Sequence, residues 1–217
     1  MENQILTRRN LGIVAGMLTA VALTAGALIT STNTAGADEA ANLAPAFTGT
    51  TATGETVSLS DYAGKTVILE WTNDGCPYVQ KHYAEPVRNM QSLQSEAAED
   101  DIVWLSIISS APGKQGHTDG PGALQIASGA GAVPQEIILD PEGTIGRLYS
   151  AKTTPHMFII TPEGEIAYRG AIDSKRSTNV DDIATAENYV RSALTSLENG
   201  EPVQTSATKP YGCSVKY

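Results

Sequence analysis

The run Thr66-Val67-Ile68-Leu69-Glu70-Trp71 constrains the fold more than any other stretch of the chain. Apolar residues occupy both of its faces at the two-residue period of a strand, so it belongs inside a sheet that is covered on both sides. A polar loop, Thr72-Asn73-Asp74-Gly75, follows and delivers Cys76. Pro77 then favours a helix start, because a proline at the first helical position gives up only an N–H that would have no partner there. In open α/β sheets, active groups gather beyond the carboxyl ends of the strands. Cys76 stands at such a place.

The rest of the chain repeats the alternation. Residues 38–65 read as an entry arm and a hairpin turning at Thr53-Gly54-Glu55. Val79, Tyr83, Val87, Met90 and Leu93 lie near a helical stripe that Pro86 should kink or split. Residues 102–109 form a second strong strand, and 110–122, with four Gly and two Pro, a loop before a short helical patch at 123–127. A third strand covers 136–139, and one or two helical turns cover 144–149. Residues 157–160 and 165–168 flank Pro162-Glu163-Gly164 as a hairpin. Ala186, Tyr189, Val190, Ala193, Leu194 and Leu197 keep helical spacing up to Gly200. The expected class is α/β, with helices on both faces of an open sheet.

Two further segments lie outside that alternation. Residues 1–37 read as an export leader: Arg8-Arg9, an apolar run from Leu11 to Ile29, then Ala35-Gly36-Ala37 as a cleavage site. Thr7-Arg8-Arg9-Asn10-Leu11 resembles the twin-arginine signal used to export folded proteins; a retained membrane anchor is the alternative. Residues 204–217 are a tail that carries Cys213. The formal net charge of −10 disfavours nucleic acid as a partner, since phosphate affinity comes mainly from Lys and Arg. Two cysteines exclude a disulfide-rich miniature scaffold and an all-cysteine zinc site.

A thiol at a helix start faces unpaired N–H groups and the positive end of the helix dipole, which favour the thiolate. The thiolate is the attacking form in disulfide exchange and in peroxide reduction. The alternative for Cys76 is an inert buried thiol, against which the polar loop before it argues.

Three stretches carry a family resemblance. Trp71-Thr72-Asn73-Asp74-Gly75-Cys76-Pro77-Tyr78-Val79 resembles the active-site entry of thioredoxin-fold proteins, and Thr153-Thr154-Pro155-His156-Met157 resembles the segment bearing that fold's cis-proline. Ala44-Pro45-Ala46-Phe47 is similar to the opening of the redoxin branch, the alkyl hydroperoxide reductase/thiol-specific antioxidant type. Together with Ser109-Ser110-Ala111-Pro112-Gly113 and the ending Pro210-Tyr211-Gly212-Cys213-Ser214-Val215-Lys216-Tyr217, the chain resembles an exported bacterial group of peroxiredoxin-like proteins from about residue 43 to 217.

The resemblance implies a thioredoxin-like fold over 38–203: a central mixed β-sheet flanked by helices, with an N-terminal hairpin extension and the C-terminal tail. It implies an exported thiol oxidoreductase with Cys76 as nucleophile. Cys213 is then the resolving thiol, an intermolecular partner or a free thiol. Pro155 would face the thiol, with Thr154 and His156 flanking it; for His156 the alternative is a hydrogen-bonded strand histidine. Glu70 would handle protons beneath the thiol or, alternatively, pair with a lysine at the strand end. His82, six residues past Cys76, is expected to be structural. Substrates would be a thiol- or disulfide-bearing protein or a peroxide, with an external thiol as reductant. No cofactor or resident metal is implied. The location would be the periplasm or another space outside the cytoplasm, with membrane contact only if the leader is retained.

The chain departs from two family patterns. Val79 stands where a thioredoxin carries its second cysteine, and Asn73 replaces the threonine three residues before a peroxidatic cysteine. Two other readings compete with catalysis: Cu(I) binding by Cys76, Cys213 and His156, and a non-catalytic binding module stapled by a permanent 76–213 disulfide.

Overall fold

The structure, a computed structural model, describes residues 42–217. The expected leader, 1–37, and the first residues of the entry arm lie outside the described residues.

The hairpin β1 (Thr48–Thr51) and β2 (Thr56–Ser58) opens the described chain. Then come β3 (Val67–Trp71), α1 (Pro77–Tyr83), α2 (Asn89–Glu99) and β4 (Val103–Ile108). The order continues with α3 (Gly120–Ala130), β5 (Glu136–Leu139), α4 (Thr144–Leu148), β6 (Thr153–Thr154), β7 (His156–Ile160) and β8 (Ile166–Gly170). The last elements are α5 (Tyr189–Glu198) and β9 (Cys213–Ser214).

Seven strands form one sheet in the order β2-β1-β5-β4-β3-β7-β8. β3 is parallel to β4 and antiparallel to β7, with Trp71 opposite His156. The sheet is mixed and helix-flanked, as a thioredoxin-like fold requires. β3 is central and every one of its residues is buried, as its two apolar faces predict. One face packs Val67, Leu69 and Trp71 against Tyr149 just past α4 and Phe158. The opposite face packs Ile68 and Trp104 against Met90 and Leu93 of α2 and Val190 of α5. Each fully buried large side chain contributes about 1.5–3 kcal/mol, so the two layers hold β3 and its loop as a rigid base.

Pro86 does split the helical stripe: α1 stops at Tyr83, the Glu85–Pro86 bond is cis, and α2 starts at Asn89. α3 is longer than the patch expected at 123–127. Asp119 caps its first turn by accepting from the Gly122 N–H, with Pro121 inside that turn and Gly131 ending the helix in the left-handed region. This capping carries a glycine-rich stretch into the helix that composition alone assigns to a loop. α5 starts at Tyr189, not Ala186, because Asn188 caps it and 180–185 form a separate 3₁₀ turn.

Candidate active site

The end of β3 and the start of α1 place Cys76. The Thr72 N–H bonds to the Ile107 carbonyl at 3.0 Å, keeping the strand in register until the loop begins. The Asn73 amide then ties the loop to itself: Oδ1 accepts from the Gly75 N–H at 3.0 Å and Nδ2 donates to the Gln115 carbonyl at 3.1 Å. Its polar atoms are thus spent on loop geometry. Cys76 is the residue capping α1, and its carbonyl accepts from Val79 and Gln80.

The Cys76 sulfur is fully buried and lies 3.1 Å from the Thr154 carbonyl and 2.7 Å from the Cys213 sulfur. Both cysteines are unbonded. The Thr154–Pro155 bond is cis. Thr154 also pairs with Cys213 in a two-stranded antiparallel ladder, β6 with β9. The tail therefore runs along the strand that carries the cis-proline and sets its thiol against Cys76. Gly212 makes the approach possible: its φ is +144°, and a Cβ there would stand 2.0 Å from the Thr154 carbonyl oxygen.

The two thiols are electrostatically unequal. Burial alone would push the Cys76 thiol up. The Cys213 thiol and N–H beside it outweigh that effect, with smaller help from the neighbouring Thr154 side chain and Val79 N–H, and the net direction is down. The Thr154 hydroxyl is buried with no partner at hydrogen-bond distance, so it is free to turn toward the sulfur. Burial, and then donation of its proton to Cys76, push the Cys213 thiol up to about 11. Of the two, Cys76 is the thiol whose ionisation is favoured and Cys213 the one whose ionisation is disfavoured.

Of the residues singled out from sequence, the structure brings together Cys76, Thr154, Pro155 and Cys213. Glu70 and His156 make no hydrogen bond to either sulfur. Glu70 is fully buried and accepts from Tyr83, Gln94, Trp104 and Ser106. Among the described residues no lysine pairs with it, which corrects that alternative. Burial raises its pKa, against the lowering effect of the Trp104, Tyr83 and Ser106 hydrogen bonds. His156 stacks on Phe158, with ring centroids 4.7 Å apart, and its Nδ1 accepts from the Lys152 N–H at 3.3 Å. Burial lowers its pKa to about 4, so it is a neutral strand histidine near pH 7. Among the described residues no three His, Cys, Asp or Glu side chains are grouped as metal ligands, so the Cu(I) reading loses its third ligand.

Sequence reasoning missed a second cluster. Lys81 of α1 donates to Asp173 Oδ2 and to the Lys175 carbonyl, both at 3.0 Å. Tyr211, two residues before Cys213, donates to Asp173 Oδ1. His82 is fully buried with Nε2 3.7 Å from Asp173, and burial lowers its pKa to about 4. The signal available in the sequence was Tyr211 beside Cys213; nothing local ties it to Asp173.

A search against the curated proteins gives no match. The AhpC/TSA family matches residues 40–169, more than half of the chain, and the chain belongs to that family. Cys213 lies beyond the matched residues. Among solved structures, the chain is similar to an uncharacterized conserved protein from Geobacillus kaustophilus, with 23% identity, 81% of this chain and 90% of that chain covered, and a TM-score of 0.67. It is also similar to a hypothetical protein from Sinorhizobium meliloti, with 20% identity, 81% and 93% covered, and a TM-score of 0.65. A putative thiol:disulfide interchange protein from Chlorobium tepidum follows at 23% identity, 59% and 82% covered, and a TM-score of 0.48. Likeness at these identities shows the fold alone; the family supports a thiol oxidoreductase in general terms.

Proposed function

We propose that this protein is a two-cysteine thiol oxidoreductase in which Cys76 attacks and Cys213 resolves. The observation that carries the reading is the 2.7 Å approach of the two sulfurs, held there by the pairing of Thr154 with Cys213. The Cys76 thiolate attacks a peroxide oxygen, giving a Cys76 sulfenic acid and an alkoxide or hydroxide that takes up a proton. The Cys213 thiol then attacks the sulfenic sulfur, forming the 76–213 disulfide and releasing water. An external thiol restores the dithiol by attacking the half-exposed Cys213 sulfur and expelling Cys76, the better leaving group because its thiolate is stabilised. A second external thiol then frees Cys213 and leaves as the donor disulfide.

The full burial of Cys76 beneath the tail favours a small oxidant at the attacking step. The half-exposed Cys213 favours a second reading, in which a protein dithiol or disulfide exchanges with the couple at the tail sulfur. Export rests on the leader pattern in 1–37, and the site would then work outside the cytoplasm.

The test is mass mapping of both cysteines before and after one equivalent of hydrogen peroxide. A 76–213 disulfide is expected. A Cys76 sulfenic acid with Cys213 untouched contradicts the resolving role, and no change at either sulfur contradicts peroxide chemistry.

A further inference from the structure

The Lys81–Asp173 pair is expensive to bury. Its side chains are 0% and 3% exposed, whereas the other Lys and Arg ion pairs among the described residues sit at the surface. Desolvating two charges costs several kcal/mol per ion, and an apolar pair of similar volume is often as stable or more so. Stability alone is therefore a weak account of this pair.

Its position suggests one. Lys81 stands on α1, the short helix that starts from Cys76, so it is rigidly related to the attacking sulfur. Asp173 holds Lys81 with one carboxylate oxygen and Tyr211 with the other. The Tyr211 ring is further fixed by an edge contact with Tyr78 at 5.7 Å and by Lys81 Nζ 5.8 Å from its centroid. Between Tyr211 and Cys213 lies only Gly212, which has no side chain to restrict its torsions. The direction of the Cys213 sulfur therefore depends on fixed points on either side of that glycine. At Cys213 itself and just beyond it they are the β6–β9 pairing, with Cys213 opposite Thr154, and the Val215 N–H on the Lys152 carbonyl at 3.1 Å. Upstream the nearest is Tyr211.

We infer that the buried Lys81–Asp173 pair, acting through Tyr211, aims the Cys213 sulfur at Cys76 and sets the rate of the resolving step, leaving the attack by Cys76 untouched. This rests on the two-cysteine reading above. Tyr211 is a positioning residue here; it touches neither substrate nor the reacting sulfurs. The step it governs is attack of the Cys213 thiol on the Cys76 sulfenic sulfur: one S–S bond forms, one S–O bond breaks, and the thiol proton leaves with the hydroxyl as water. Its geometric tolerance is small, because misplacement by about 1 Å can slow a positioned reaction about a hundredfold.

The test uses the full chain, reduced and treated with one equivalent of hydrogen peroxide. Sulfenic acid is trapped with a carbon nucleophile, and the 76–213 disulfide is followed by mass. Tyr211→Phe removes the hydroxyl and keeps the ring. Thr208→Val is the control: it loosens the same tail by removing the hydroxyl that contacts Tyr168 and accepts from the Ala171 N–H. Expected in Tyr211→Phe is an unchanged rate of sulfenic acid formation and a disulfide step slowed by about tenfold or more. In Thr208→Val both steps should stay within about twofold of the unmodified chain, because that anchor lies farther from Cys213 along the tail. A disulfide step of normal speed in Tyr211→Phe, or an equal slowing in both variants, overturns the inference and leaves the two-cysteine reading standing. An unmodified chain that forms no 76–213 disulfide overturns both.

Discussion

The two sides of α1 do different work. On one side Val79 and Tyr83 face an apolar cavity of about 130 Å³, also lined by Ala123 and Ile137 of α3 and β5. Tyr83 closes a hydrogen-bonded network around the buried Glu70. On the other side Tyr78 and Lys81 meet the tail, which brings Cys213 against Cys76. In a thioredoxin the helix itself would supply the second thiol at the position of Val79. Here that position has become an apolar wall, and a segment 137 residues away supplies a thiol from the opposite side. Two thiols are thus brought together through tertiary anchoring, and their alignment depends on what holds the tail.

That contrast can be broken most severely at the sulfur common to both sides. Cys76→Ser should lower peroxide-dependent oxidation of a thiol donor by about a thousandfold or more, measured in steady-state turnover. Lys81→Met should cost about 3–5 kcal/mol in urea unfolding, since it leaves Asp173 buried without its cation.

Acid sharpens the comparison next. His82 lies on the tail side and His156 on β7, and both have folded-state pKa values of about 4, below the unfolded value near 6.5. The unfolded chain binds more protons than the folded chain between those values. Stability should therefore fall as pH drops from about 6.5 toward about 4, by up to about 3 kcal/mol for each histidine. Urea midpoints taken across that range check it; His82→Asn should flatten the slope by about half. The smallest effect is expected on the far side of α1. Glu70→Gln should leave the pH midpoint of Cys76 alkylation where it is, because no hydrogen bond joins Glu70 to either sulfur. A shifted midpoint would restore Glu70 as a proton-handling group.

Much of this was legible in the sequence wherever the signal was local. β3 announced itself by apolar residues on both faces, α1 by Pro77 behind a polar loop, and the break before α2 by Pro86. Cys76 and Pro155 were legible for the same reason, each set in a short motif. The resting place of Cys213 was not. The tail has no periodicity, β9 is two residues long, and its course is set by single contacts to distant residues such as Asp173 and Lys152. Glu70 falls on its expected strand, whereas the strand expected at 157–160 leaves out His156, which opens β7; alternation along a strand does not tell which polar partners a buried side chain finds. The Glu70 donors come from β4, α1 and α2, and His156 turned to Phe158 on its own strand.

The central claim is that Cys213 makes Cys76 a thiolate, and the rate of Cys76 alkylation against pH tests it directly. In the reduced chain the midpoint should lie below the ordinary cysteine value of about 8.5. In Cys213→Ala it should rise to that value or above, because burial still disfavours the charge while the main hydrogen-bond donor has gone. Identical midpoints in the two proteins, or a midpoint above about 9 in the unmodified chain, would contradict the account.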